Sequence, residues 1–168
     1  MRHKTLNLLL PFLLLAPSQI PAQILKNSLS AGLESKFILF EGDLSMAGNV
    51  RFLYSVKNHL AVGFGLEYYT SGSGEFDTRY IAFQPTIRLY FLNNARMQWL
   101  MQLHLGVFKL LTFDGTPGPS IGFAIGPRLS ITKRLGLEAH LLLVPVPDGG
   151  PLGVSTGLNY LLFKKNEG

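Results

Sequence analysis

The sequence predicts an all-β chain: eight antiparallel strands closed into an up-and-down transmembrane β-barrel. Three observations predict it. Apolar residues alternate with small or polar ones at period two over eight segments, the signature of strands with two unlike faces. Charged residues make up 15% of the chain, against roughly 25% in ordinary soluble domains. Outside the N-terminus no apolar run approaches the ~20 residues of a transmembrane helix. Glycine, with 18 of the 168 residues, is scattered through the apolar segments, which disfavours helices.

The chain opens on a leader. Arg2, His3 and Lys4 precede a short apolar run over 6–16, interrupted by Asn7 and Pro11, and small residues follow. The run is about half the length a membrane anchor needs. It reads as a cleaved secretory signal over 1–22, with cleavage after Ala22 or Ser18. One domain, 23–168, remains, of a length that suits a single fold.

The strands follow in order. The first sets Leu29, Ala31, Leu33, Phe37 and Leu39 on one face and Ser30, Gly32, Glu34 and Lys36 on the other. The second sets Met46, Gly48, Val50, Phe52, Tyr54 and Val56 against Asn49, Arg51 and Ser55. The third sets Leu60, Val62, Phe64, Leu66 and Tyr68 against Ala61, Gly63, Gly65 and Glu67. The fourth sets Ile81, Phe83, Ile87, Leu89 and Phe91 against Ala82, Gln84, Thr86, Arg88 and Tyr90.

The fifth strand sets Trp99, Met101, Leu103, Leu105 and Val107 against Gln102, His104, Gly106 and Phe108. The sixth sets Ile121, Phe123, Ile125, Leu129 and Ile131 against Gly122, Ala124, Gly126, Arg128 and Ser130. The seventh sets Leu135, Leu137, Ala139, Leu141 and Leu143 against Gly136, Glu138 and His140. The eighth sets Leu152, Val154, Thr156, Leu158, Tyr160 and Leu162 against Gly153, Ser155, Gly157 and Asn159.

Each segment is about ten residues long, the length a tilted strand needs to cross a bilayer. The second face decides the orientation. It is small and polar with one or two charges per strand, which fits the narrow interior of an eight-stranded barrel. The apolar face then points into lipid, and closure follows because hydrocarbon cannot satisfy an open strand edge. Pro85 and Pro127 each remove a ladder donor inside a strand, so both are expected at bulges or irregularities.

The connections alternate in character. Those at 41–44, 70–78, 112–119 and 147–151 carry Glu41, Asp43, Glu75, Asp77, Asp114 and Asp148. Those at 57–59, 92–97 and 132–134 carry Lys57, Arg96, Lys133 and Arg134. Short turns at one end and more variable loops at the other is the asymmetry of a membrane barrel. An even strand count puts the basic turns in the periplasm and the acidic loops outside. Tyr54, Phe91, Trp99 and Tyr160 lie on the apolar face near the turn end, where interfacial rings belong.

The last strand carries a pattern: polar Ser155, then Gly157, aromatic Tyr160, apolar Leu162 and a closing Phe163. It resembles the C-terminal assembly signal of outer-membrane barrels, although 164–168 follow it. The region from Gln23 to Phe163 is similar to the outer-membrane protein β-barrel domain family of Gram-negative bacteria, the small OmpA-like and OmpX-like barrels. That resemblance implies the eight-stranded fold and an outer-membrane location. It implies outer-membrane lipid, periplasmic chaperones and the barrel-assembly machinery as partners, and no activity.

The inner face collects Glu34, Lys36, Arg51, Glu67, Arg88, His104, Arg128, Glu138 and His140. Charges cannot remain unpaired in a narrow bore, so they are expected to form a structural ion-pair network that plugs it. Hairpin arithmetic sets Arg128 opposite Glu138 and leaves Arg51 and Glu67 diagonal. The leading expectation is a monomeric, non-enzymatic barrel with a structural or surface-interaction role. The alternative is a narrow ion or small-solute channel. A lipid-modifying enzyme would draw on Glu138, His140 and Ser155, and a soluble lipocalin-type barrel would need its apolar face inside.

Other chemistry finds little support. The chain has no cysteine, which excludes disulfide scaffolds and thiolate sites. His104 and His140 are two lone histidines on different strands, weak grounds for a metal, and no cofactor is expected. The net charge is +5, part of it from Arg2 and Lys4, and no basic cluster interleaves with aromatics as nucleic-acid binding requires.

Overall fold

A computed structural model describes residues 26–40, 43–71, 78–91, 96–111, 116–143 and 152–164. The expected leader at 1–22, with its cleavage site, lies outside them, as do most of the predicted loop positions. Eight strands follow in sequence: β1 (Ser28–Phe40), β2 (Asp43–Lys57), β3 (Leu60–Ser71), β4 (Thr78–Phe91), β5 (Met97–Leu110), β6 (Gly118–Ser130), β7 (Leu135–Leu143) and β8 (Leu152–Lys164). Each pairs antiparallel with its sequence neighbours, and β1 pairs with β8 to close the barrel.

The strands run from 9 to 15 residues, mostly longer than the ten that alternation alone marks out. Backbone pairing does not require an apolar face, so the ladders continue past the patterned segments. Thr70, Ser71 and Thr78, expected in a loop, belong to β3 and β4; 72–77 and 144–151 lie outside the described residues.

The two faces fall as the alternation predicts. Large apolar side chains stand outward, with Leu33 62%, Val107 53% and Val154 55% exposed. Glu34, Arg51, Glu67, Arg88, Gln102, Glu138 and His140 are buried within. A water-soluble barrel has the reverse arrangement, and only a solvent of hydrocarbon stabilises this one.

Both prolines fall at irregularities of the ladder, as expected, and neither produces a bulge. Pro85 stays in register with Phe64 on β3, but the β4–β5 ladder passes from Phe83↔Val107 to Thr86↔His104 and omits Gln84 and Pro85. Pro127 stays opposite Trp99, while the β6–β7 ladder omits Gly126 and Pro127. The pairing lapses on the side where the N–H is missing, with no change of register. The register shifts lie elsewhere, at Leu29/Ser30 against β8 and at Ser55/Lys57 against β3.

Two glycines share these lapses. A Cβ on Gly106 would lie 2.0 Å from the Phe83 carbonyl oxygen, and one on Gly126 would lie 2.0 Å from that of Ala139. A Cβ on Gly63 would lie 1.9 Å from the Phe52 carbonyl oxygen, where the ladder is unbroken. At all three lumen-facing positions neighbouring backbone takes the room of a side chain, the close approach that glycine permits in a tightly curved sheet.

Apolar residues also reach the interior, at two levels. Leu53, Ala61, Tyr90 and Leu100 form a buried cluster toward the short-turn end. Ile38, Ala124 and Leu142 form another toward the loop end, with Tyr69 packed against it. Tyr69 stacks on Tyr80 at 4.5 Å between ring centroids, and Phe108 leans on Tyr80 at 5.5 Å.

Candidate functional site: the lumen network

The nine charged or imidazole side chains that the inner face was expected to collect all stand on the lumen side of the wall, eight of them buried and Arg128 partly so. Six of them join in one cluster. Register alone places Arg128 opposite Glu138 and Arg51 diagonal to Glu67, since Arg51 pairs with Gly65. The partners, however, are chosen across the bore.

Glu138 on β7 is the centre. Arg88 donates from Nη1 to its Oε1 at 2.7 Å, and Arg51 donates from Nη2 to its Oε2 at 2.9 Å. Arg128 Nε lies 3.7 Å from Oε1. Arg51 uses its other arm on Glu34 Oε2, also at 2.9 Å. One planar guanidinium thus bridges two carboxylates, from β1 and from β7, which flank β8 in the circuit. Arginine does this better than lysine because its donors are arrayed as a fixed fork.

Neutral side chains complete the set. Arg88 Nε donates to Gln102 Oε1 at 2.7 Å, and Gln102 Nε2 meets His104 Nε2 at the same distance. His104 Nδ1 lies 3.1 Å from Thr86 Oγ1. Arg128 donates to Gln98 and Asn159. Nearer the loop end, Lys36 is paired with Glu67, which also accepts from Tyr80 at 3.2 Å. Gln98, Thr86, Asn159 and Tyr80 carry real bonds here. Their inward parity was the signal that could have found Gln98 and Tyr80.

The trio considered for lipid chemistry does meet. His140 and Ser155 are Cα partners on β7 and β8, and His140 Nδ1 lies 3.1 Å from Ser155 Oγ. But the serine hydroxyl donates to Glu34 Oε1 at 2.5 Å, and that same oxygen lies 3.2 Å from His140 Nδ1. Glu138 stands 3.7 Å from the other ring nitrogen. Serine and histidine are 1% and 3% exposed, in a position without open access from lipid or water. Among the described residues no group of three His, Cys, Asp or Glu side chains is placed to hold a metal ion.

The residues of the C-terminal pattern lie on β8. Tyr160, Leu162 and Phe163 point outward and are exposed. Gly157 faces inward, where a Cβ would meet the Leu33 carbonyl oxygen at 2.7 Å. The shift against β1 falls between Leu161 and Phe163, so Leu162 has no partner in the β1 ladder.

No family model and no curated protein sequence matches the chain. Solved structures do match. A de novo designed transmembrane β-barrel aligns at TM-score 0.59 and 11% identity, covering 83% of this chain and 99% of its own. Ail, the attachment invasion locus protein of Yersinia pestis, aligns at TM-score 0.53 and 17% identity, covering 80% and 97%. The outer membrane protein OprG from Pseudomonas aeruginosa aligns at 0.56 and 10%, covering 84% and 98%.

The fold is that of the small eight-stranded outer-membrane barrels. In this outer-membrane barrel fold the lumen network occupies the place that a wider barrel would leave to water. A fold shared at this level does not by itself imply an activity.

Proposed function

We propose that this chain is an integral outer-membrane protein, exported through its leader, with a closed bore and a structural or surface-interaction role rather than a catalytic one. The observation that carries this reading is the filled lumen. Arg51, Arg88 and Glu138 are each at most 1% exposed and bonded to one another across the bore, with apolar clusters toward both ends. The outward apolar belt supports the membrane placement. Activity would then reside in the loops and rim rather than the bore, since rigid barrels present function on their connections.

Reconstitution tests the reading. The refolded mature chain in a planar bilayer should show no steady conductance, and membrane fractionation should place the native protein with the outer membrane. Stable ion-selective openings would favour a narrow channel and overturn the closed bore. A lipid profile altered by the wild type and restored by His140→Ala would overturn the non-catalytic reading.

A further inference from the structure

The acidic side chains of Glu34, Glu67 and Glu138 are buried in the lumen. Of the exposed cations among the described residues, Arg79 and Lys109 lie toward the loop end and Lys26, Lys57, Lys133 and Arg134 at the short-turn end. Lys57 caps the β2–β3 turn, and Lys133 and Arg134 form the β6–β7 turn. These two turns lie on opposite sides of the eight-strand circuit. The arrangement is a partial collar around the barrel rather than a pocket.

The collar stands where the apolar belt stops. Val56, 37% exposed on the lipid face, directly precedes Lys57. Ile131, 50% exposed, lies two residues before Lys133. Arg134 accepts through its carbonyl oxygen from Leu161 N–H at 2.8 Å. It is followed by Leu135, whose partner on β8 is the outward Tyr160. Aromatic rings mark the headgroup level of a membrane, and Tyr54, Trp99 and Tyr160 share this end. Lysine and arginine at that depth lay their stems along apolar surface and hold their charge among phosphates.

We infer that the basic collar at the short-turn end recruits anionic phospholipid from the adjoining leaflet, so that the barrel carries a negatively enriched lipid ring at that end. Charge complementarity carries this: a cluster of exposed cations at that end, no exposed acidic side chain among the residues described there, and a depth set by flanking apolar residues. A soluble polyanion could bind the same charges. The apolar flanks favour a partner whose phosphate is already held at the membrane surface. The inference rests on the proposal that the outward belt lies in a bilayer.

Trp99 supplies the test. It is the only tryptophan in the chain, and it lies on β5, between the two basic turns along the wall. The mature chain would be refolded into vesicles of phosphatidylcholine and phosphatidylglycerol, with brominated acyl chains on one lipid or the other. Trp99 quenching should report an affinity for phosphatidylglycerol about two- to five-fold above that for phosphatidylcholine, falling toward parity in high salt. The triple variant Lys57→Gln, Lys133→Gln, Arg134→Gln should lose that preference while brominated phosphatidylcholine quenches it as before. Equal quenching of the wild type by both lipids, or a preference that survives in the variant, would overturn the lipid ring and leave the membrane placement standing. No quenching by either lipid would overturn the membrane placement and the inference with it.

Discussion

Glu138 holds the middle of the lumen because arginines from β2, β4 and β6 all turn toward one carboxylate. Removing one member of a buried ion cluster leaves the others charged and desolvated, a loss of about 3–5 kcal/mol. Glu138→Ala should therefore lower the urea midpoint of the refolded barrel far more than Glu67→Ala, since among the described residues Glu67 is ion-paired with Lys36 alone and the pair lies nearer the mouth. Equal losses in the two variants would mean that the cluster behaves as separate pairs. The presence of these charges was legible in the sequence, since Glu34, Arg51, Arg88 and Glu138 all have inward parity. Their partners were not. Hairpin register reports only adjacent strands, and the Arg51–Glu138 bond joins β2 to β7.

The same limit applied to apolar residues that break the alternation. Leu53, Leu100, Ile38 and Leu142 occupy inward positions on otherwise polar faces, and on a single strand each reads as noise. Together they make the two apolar levels of the bore. Leu100→Ala should cost about 2–5 kcal/mol by leaving a cavity against Leu53 and Tyr90, measured as a drop in the same urea midpoint. An unchanged midpoint would show that the level is loosely packed.

At the scale of the element, the strands differ in how closely neighbouring backbone approaches them. Gly106 and Gly126 look like any other lumen-facing glycine, such as Gly122, which has ordinary room around it. Only the folded wall shows that a neighbouring carbonyl fills the space of their missing Cβ. Gly106→Ala and Gly126→Ala should each destabilise by about 3 kcal/mol or more through overpacking against backbone. The heat-modifiable, folded band should weaken on a gel after detergent refolding. Gly48→Ala is the control, because a Cβ there meets nothing within 4 Å. Loss of folding in all three would point to strand propensity rather than to the close approach. The prolines repeat the lesson: the sequence announces a missing donor but not which neighbour loses the bond.

The whole molecule is a soluble barrel turned inside out, and its behaviour in solvent should follow. With side chains such as Leu33, Phe64, Ile87 and Leu158 exposed around its waist, the mature chain should stay folded in detergent micelles or vesicles. It should precipitate when detergent is withdrawn, because a contiguous belt far exceeds the apolar patch a soluble monomer tolerates. Sedimentation after detergent removal checks this, and a monodisperse, folded chain in plain buffer would contradict the outward belt.

The sequence by itself determined the strand count, the alternation of faces, the polar character of the bore and the contrast between basic turns and acidic loops. All of these are local or periodic, and period two survives in one dimension. The tertiary structure alone decided which charge meets which, which glycines neighbouring backbone crowds, and that apolar side chains bracket the ionic cluster. Those depend on distances across a closed bore, where residues far apart in the chain become neighbours only once β8 has found β1.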